Sequence, residues 1–427
     1  MATNDQHPQR RTLRVRALAA GAAIALTAPL AACGSDDGGV PVLNFYNSPV
    51  ENMQSVVDRC NQEAAGKYKI SYQVLPRQAD DQRVQMVRRL AAKDDSMDIL
   101  GMDVTWTQEF ASADWIREVT GELKNEVESE TLEPAVAAAQ YEDKLFAAPN
   151  NTNVQLLWYR KDLVPNPPKT WDEMIKMSQQ LKAEGKTYQV MTMGAQYEGL
   201  VVLYNSLVAS VDGNVVDEDG KKAVMDEGAV RALETLKTFA TAGVTSPSFS
   251  NAVEDDVRRA FQSGGGAFQL NWPFVWASMV QEAPDLAKNV GWARYPAIDA
   301  DKPSRTTIGG SELAVSAYSK HPDLAFEAIR CLRGPESQLF LATKSGQAPS
   351  IESVYNDPSM NEAYPMKDVL LDELKTSAPR PRTPAYQNLS TVVSAELSPP
   401  ASIQPRQTAD SLRESIQAAI DSKGVLP

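Results

Sequence analysis

Histidine is nearly missing from this chain: there are two in 427 residues, His7 and His321. Imidazole-based zinc sites and histidine-dependent triads therefore have almost no material, and neither a metal nor an organic cofactor is expected. Basic charge is in deficit too, with 42 Lys and Arg against 55 Asp and Glu and a net charge of −13. Phosphate backbones are held by concentrated basic surface and none is visible, so no nucleic-acid partner is expected. A neutral or cationic small ligand fits this balance better. Cysteine is scarce, with three residues, and aromatic residues make up only 7% of the chain. What is plentiful is length, which allows two or three domains with substantial cores.

The first 33 residues carry an address. Arg10, Arg11, Arg14 and Arg16 precede an apolar run from Leu18 to Leu30 that is short and alanine-rich for a membrane span. The run ends in LAAC, Leu30 to Cys33, which resembles a bacterial lipobox; an ordinary signal peptide is the alternative. The expectation is a signal peptide over 1–32, lipidation of Cys33, and a flexible tether over 33–40 on the outer face of the cytoplasmic membrane. The Arg10-Arg11 pair weakly resembles a twin-arginine signal, which leaves both export routes open. Without residues 1–32 the chain holds 38 basic and 54 acidic residues.

Cys60 and Cys331 are then left as an even pair in an oxidising compartment, which suggests a disulfide, with two separate buried thiols as the alternative. Cys60 continues the helical spacing of Met53, Val56 and Val57, and Cys331 lies on a helix begun by Pro322 and closed by Gly334. Strand and helix signals alternate throughout, predicting an α/β fold. VLNFY (42–46), KISYQVL (69–75) and SMDILGMD (96–103) read as strands, with helices near 51–65 and 80–92. PPKTWDEMIKMSQQLKAEGK carries a Thr170…Glu173 capping box, an apolar stripe through Met174, Met177 and Leu181, and Gly185 at its far end.

NWPFVW (271–276) gathers three rings where the strand AFQLNW ends and a helix opens with Pro273. Ligands of open α/β sheets bind outside the carboxyl ends of strands. A pyranose has an apolar C–H face that can lie on an indole while its hydroxyls reach polar groups at the edges. Core filling is the alternative for any one ring; three rings beside Asn271 favour a sugar platform.

YRKDLVPNPPKTWDEMIKMSQQLKAEG (159–185), FQSGGGAFQLNWPFVWASM (261–279) and AVSAYSKHPDLAFEAIRCL (314–332) resemble the matching segments of maltose-binding proteins. With the lipobox, the chain resembles the solute-binding lipoproteins of carbohydrate ABC importers over about 390 residues. RCNQ (59–62), LPR (75–77), QR (82–83), LWYR (157–160), EGLVV (198–202), NWPF (271–274), TIGG (307–310) and the cysteine pair are similar to the mycobacterial trehalose-binding branch of that family. Two segments depart from that branch: the Met279–Trp292 connection and the loop NSPVEN (47–52) are shorter here. The resemblance implies a two-lobed, class II periplasmic-binding-protein-like fold with three hinge crossings. Lobe 1 would take 41–150 and 305–348, and lobe 2 would take 151–304 and 349–427. It further implies a monomer that binds a disaccharide between the lobes and delivers it to permease subunits.

The same resemblance, read together with the chemistry of each side chain, selects the ligand set. Asp103 ends a strand and can accept from two sugar hydroxyls, or else cap the helix that follows. Asn153 both donates and accepts, with a plain turn residue as its alternative. Glu51 and Gln82 complete the first lobe's share, Gln82 being otherwise an exposed helix residue. From the second lobe come Glu254, which alone would read as a solvated helix start, together with Trp272, Phe274 and Arg380. Arg380, between prolines in PRPRTP, is favoured over Arg382 as the bidentate donor. Gly310 lets backbone approach the ligand; Gly309, Glu198 and Trp276 are weaker candidates.

Two rival readings come from other classes. Carboxylates with aromatics also describe a glycoside hydrolase, which needs a pair about 5–9.5 Å apart. The other is a surface lipoprotein that contacts a partner without transport. The family resemblance favours binding without catalysis: trehalose first, maltose or a malto-oligosaccharide second.

Overall fold

A computed structural model describes residues 39–77 and 79–422. The expected signal peptide and the lipidation site Cys33 lie outside the described residues. Eleven strands are described: β1 (Val42–Asn47), β2 (Lys69–Val74), β3 (Ile99–Asp103), β4 (Gln140–Tyr141), β5 (Lys144–Leu145), β6 (Ala148–Asn153), β7 (Leu156–Arg160), β8 (Gln189–Met191), β9 (Gly266–Asn271), β10 (Val290–Ala293) and β11 (Gly309–Val315). They form a five-stranded sheet ordered β2-β1-β3-β11-β6, a four-stranded sheet ordered β10-β7-β9-β8, and the small hairpin β4–β5. β1 is parallel to β2 and β3, whereas β11 runs antiparallel to β3 and β6. In the second sheet β7 is antiparallel to β9 and β10, and β8 is parallel to β9.

Side-chain alternation explains how each sheet is clothed. In β1, Leu43, Phe45 and Asn47 are buried and the residues between them are not. β7 reads as an unbroken apolar run because both its faces are covered: Leu157 and Tyr159 join the core of helices 171–183, 198–210 and 227–241, while Leu156 and Trp158 join a core on the opposite face. The chain leaves the first sheet after Asn153 and enters the second at Leu156, then returns between Ala293 and Gly309. β6 runs on to Asn153, so the division expected at 150/151 falls inside a strand of the first sheet.

Met53, Val56, Val57 and Cys60 are all buried, as their spacing predicts, in the core beneath the first sheet. Cys60 is bonded to Cys331 on the helix Pro322–Arg333, with Cα atoms 5.8 Å apart. Thr170 caps its helix by accepting from the Glu173 N–H at 3.1 Å. The reciprocal half of the box is displaced, because the Glu173 carboxylate accepts from the Lys169 N–H at 2.7 Å. Residues 169–171 pair strand-like with Ala297, which sets the entry angle instead. Among the described residues no helix is long and apolar enough to cross a membrane.

Candidate ligand-binding cleft

Ends of strands from both sheets converge on a cavity of about 410 Å³. β3 delivers Asp103, β6 delivers Asn153, and the start of β11 delivers Gly309 and Gly310. Opposite them lie Glu198 at the start of the helix 198–210, Glu254 at the start of the helix 254–262, and Trp272 and Phe274 just past β9.

Each group is held by local structure. The Asp103 carboxylate accepts from the Thr105 N–H at 3.0 Å and the Thr105 hydroxyl at 2.7 Å, so it fastens the turn after β3 while still lining the cavity. Among the described residues the buried Asn153 side-chain oxygen has no partner, an arrangement that costs free energy unless something fills it. The backbone at Trp272 is held by Asn271, whose side-chain oxygen accepts from the Trp272 main-chain N–H at 2.9 Å and whose amide donates to the Glu254 carbonyl at 3.1 Å. One buried asparagine thus ties the main chain at Trp272 to a carboxylate-bearing helix start. Gly310 has φ 131°, and a β-carbon there would lie 2.4 Å from the Asn151 carbonyl, so no other residue fits without rearrangement. A β-carbon on Gly309 would sit 3.2 Å from the Trp272 ring.

Arg380 is only 8% exposed. Its guanidinium donates to Glu198 at 2.6 Å and reaches Asp103 at 3.4 Å, joining the start of the helix 198–210 to the end of β3, and among the described residues its Nε has no partner. Burial opposes this charge, but Tyr386, Asp103 and Glu198 around it prevail and hold it above the ordinary guanidinium range. Glu198 also accepts from the Tyr386 hydroxyl at 2.5 Å and from the Ser390 hydroxyl. Burial first, and then the Glu198 charge, push the Tyr386 phenol well above its usual range, which keeps it a neutral donor.

Three of the twelve sequence-predicted positions lie elsewhere. Gln82 is buried and donates to the carbonyls of Pro76 and Arg77, at 2.8 and 3.3 Å, bracing the loop before its helix instead of facing the cavity. Glu51 is exposed in the 47–52 loop, where its carbonyl accepts from the Ser345 hydroxyl. Trp276 packs edge-on against Trp292 at 5.2 Å, in the core behind β7. The other nine meet at the cavity. Tyr197, Tyr386, Gln387, Arg77 and Asp80 also line it and were not selected from sequence. Tyr386 and Gln387 lie in the same proline-rich stretch that supplies Arg380, and Tyr197 directly precedes Glu198; adjacency was the signal available. Among the described residues no His, Cys, Asp or Glu cluster could hold a metal ion.

Two sheets facing one ring-lined, polar cavity, with the chain crossing between them, define a two-lobed binding protein. Comparison with known proteins gives the class its name. The profile of the family described as bacterial extracellular solute-binding protein matches residues 46–339, and the chain belongs to that family. It is 30% identical over 331 residues to a probable ABC transporter-binding protein of Deinococcus radiodurans, covering 72% of this chain and 75% of the relative. It is 24% identical over 309 residues to the diacetylchitobiose binding protein DasA of Streptomyces coelicolor, covering 70% and 71%. Maltose-bound MalE3 of T. maritima superposes with a TM-score of 0.76 at 27% identity, over 88% of this chain and 99% of that one. These relatives are solute-binding proteins, not enzymes.

Proposed function

We propose that this protein captures a sugar outside the cell for an ABC importer, taking a disaccharide between its lobes and passing it to permease subunits of the membrane. The observation that carries this reading is one cavity lined together by the aromatic residues Trp272 and Phe274 and the polar residues Asn153, Asp103, Glu254 and Arg380. A pyranose needs that combination: an aromatic surface for its C–H face and fixed donors and acceptors for its hydroxyls. The maltose held by MalE3 and the diacetylchitobiose of the DasA name support the ligand class. The name of the Deinococcus relative supports an ABC transporter as the partner. Trehalose comes first on the resemblance at NWPF and TIGG, maltose second. The protein works as a monomer tethered through Cys33. Its lobes, 41–150 with 305–348 and 151–304 with 349–427 apart from the end of β6, close about the chain crossings when ligand supplies contacts to both.

Calorimetric titration against trehalose, maltose and a longer α-glucan tests this. Tight binding of trehalose with weak binding of the others is expected. Preference for maltose or the glucan would keep the importer reading and overturn trehalose. Heat from none of the three would remove the sugar.

A further inference from the structure

Arg380 and the Gly309–Gly310 pair are delivered to the cavity by chain segments that run side by side before they part. Thr307 and Ala378 pair in parallel: the Ala378 N–H donates to the Thr306 carbonyl at 2.9 Å, and the Ile308 N–H donates to the Ala378 carbonyl at 2.9 Å. One segment continues directly into Gly309 and Gly310. The other reaches Arg380 through Pro379, whose ring fixes its own φ and stiffens the connection. Both segments are fastened to Glu373, which is fully buried on the helix Lys367–Thr376 and does not line the cavity. Resting on the sugar reading above, we infer that Glu373 is a positioning residue, which acts on the ligand through the places it gives to Arg380 and the glycine pair.

The fastening is specific. The Glu373 carboxylate accepts from the Arg294 Nε at 2.9 Å, the Ser304 hydroxyl at 3.2 Å, the Tyr295 N–H at 3.3 Å and the Thr306 hydroxyl at 3.4 Å. Arg294 donates further, to the Ser304 carbonyl at 3.1 Å and the Thr376 hydroxyl at 2.5 Å. Both ends of the 294–306 stretch, by which the chain returns to the first sheet, are thereby held on one helix just before that stretch meets Ala378. The same helix leads through Ser377 into Ala378 itself. A buried carboxylate is costly unless donors and a counter-charge surround it. Here all four donors belong to the returning stretch, so the burial of Glu373 is tolerable only while that stretch keeps its course.

The paired segments are also tied to the carboxylate that holds Arg380. The Ser206 hydroxyl accepts from the Thr307 N–H at 3.1 Å. Ser206 lies on the helix 198–210, whose first residue, Glu198, accepts from Arg380 at 2.6 Å. The path from Glu198 along its helix to Thr307, across to Ala378 and on to Arg380 closes on itself. A shift of the paired segments therefore moves the guanidinium relative to its acceptors, and hydrogen bonds weaken steeply with lost alignment.

The test reads sugar affinity by calorimetry at a temperature where circular dichroism shows each variant fully folded. Glu373→Gln keeps the size but sets an amide NH2 among four donors, so the fastening fails. Sugar affinity is expected to fall about tenfold, although residue 373 does not line the cavity. Made in an Arg380→Ala background, the same substitution should cost less than about threefold, because a group it positions is already gone. Ser304→Ala removes one donor and leaves the carboxylate in place; it should weaken binding about threefold, and it decides the matter should Glu373→Gln not fold. Affinity within twofold of the parent in the folded variants would make Glu373 a residue of stability alone and overturn the inference, with the sugar reading left standing. An equal loss with and without the Arg380 side chain would overturn it as well. Failure of the parent to bind trehalose, maltose or the α-glucan overturns both.

Discussion

On the wall of the cleft built from the second sheet, Glu198 is satisfied completely: Arg380, Tyr386 and Ser390 all donate to it. Beneath the wall built from the first sheet, Glu312 of β11 is fully buried, and among the described residues its one donor is the Thr107 hydroxyl at 2.5 Å, while its other oxygen has none. The two glutamates have opposite surroundings. The second wall is a finished hydrogen-bonded frame carrying rings. The first wall holds its polar groups in reserve, with the Asn153 oxygen unpaired among the described residues and Asp103 divided between its own turn and Arg380. Binding is then expected to draw stacking from the second wall and new hydrogen bonds from the first, and substitutions on the two should fail differently.

The largest loss is expected from Trp272→Ala. A large aromatic side chain lining the cavity should contribute as an anchor does, so sugar affinity should fall about a hundredfold or more, roughly 3 kcal/mol, with the melting transition little changed. Titration with the wild-type ligand checks it; an affinity within a fewfold of the parent would remove Trp272 from the site. Asp103→Ala should follow, at about 2 kcal/mol or roughly thirtyfold, the scale of a hydrogen bond to a charged group. Asp103→Asn keeps an acceptor for the Thr105 turn while removing the charge. If this amide variant rescues folding without rescuing affinity, the charge acts on the ligand; if it rescues both, Asp103 serves only its turn.

Which of these residues could be picked out from sequence follows physical lines. Strand ends were readable because burial writes itself as apolar runs: SMDILGMD stops at Asp103 as read, and the strand read as AFQLNW ends one residue earlier, at Asn271, and both ends reach the cavity wall or its support. Helix starts were readable from Thr170 and Pro322. Side-chain direction within a helix was not. Trp272 and Trp276 flank Pro273, and the turn there sends one ring to the cavity and the other to Trp292. Gln82 sits on its expected helix but turns back to the carbonyls of residues 76 and 77, which no local pattern signals. Tyr386 was missed because its role depends on Glu198, 188 residues away in the chain.

Glu198→Gln sharpens the contrast from the finished side. The amide keeps the shape but halves the acceptor capacity and removes the charge that faces Arg380. Arg380 and Tyr386 should lose their fixed positions, and affinity should fall about tenfold through them. A titration in which Glu198→Gln and Arg380→Ala are not additive would show that the two act as one unit. Full additivity would break the idea of a single frame.

Glu312→Gln tests the unfinished side, with a smaller effect that pH reveals. Burial pushes the Glu312 carboxyl well above its ordinary range; the Thr107 hydroxyl works against this, and the neighbouring Asp103 charge adds to it. The folded protein therefore keeps this proton over a window in which the unfolded chain has released it. Stability from the group is complete below the unfolded value of about 4.3 and is lost as pH rises toward the folded value. Glutamine has the same shape and no proton to lose. Denaturation of parent and variant should accordingly give similar stabilities near pH 4, and the variant should gain by about 1 kcal/mol between pH 5 and 6. Parallel stability curves across that range would mean that Glu312 is ionised in the folded protein and that this wall, like its opposite, is already satisfied.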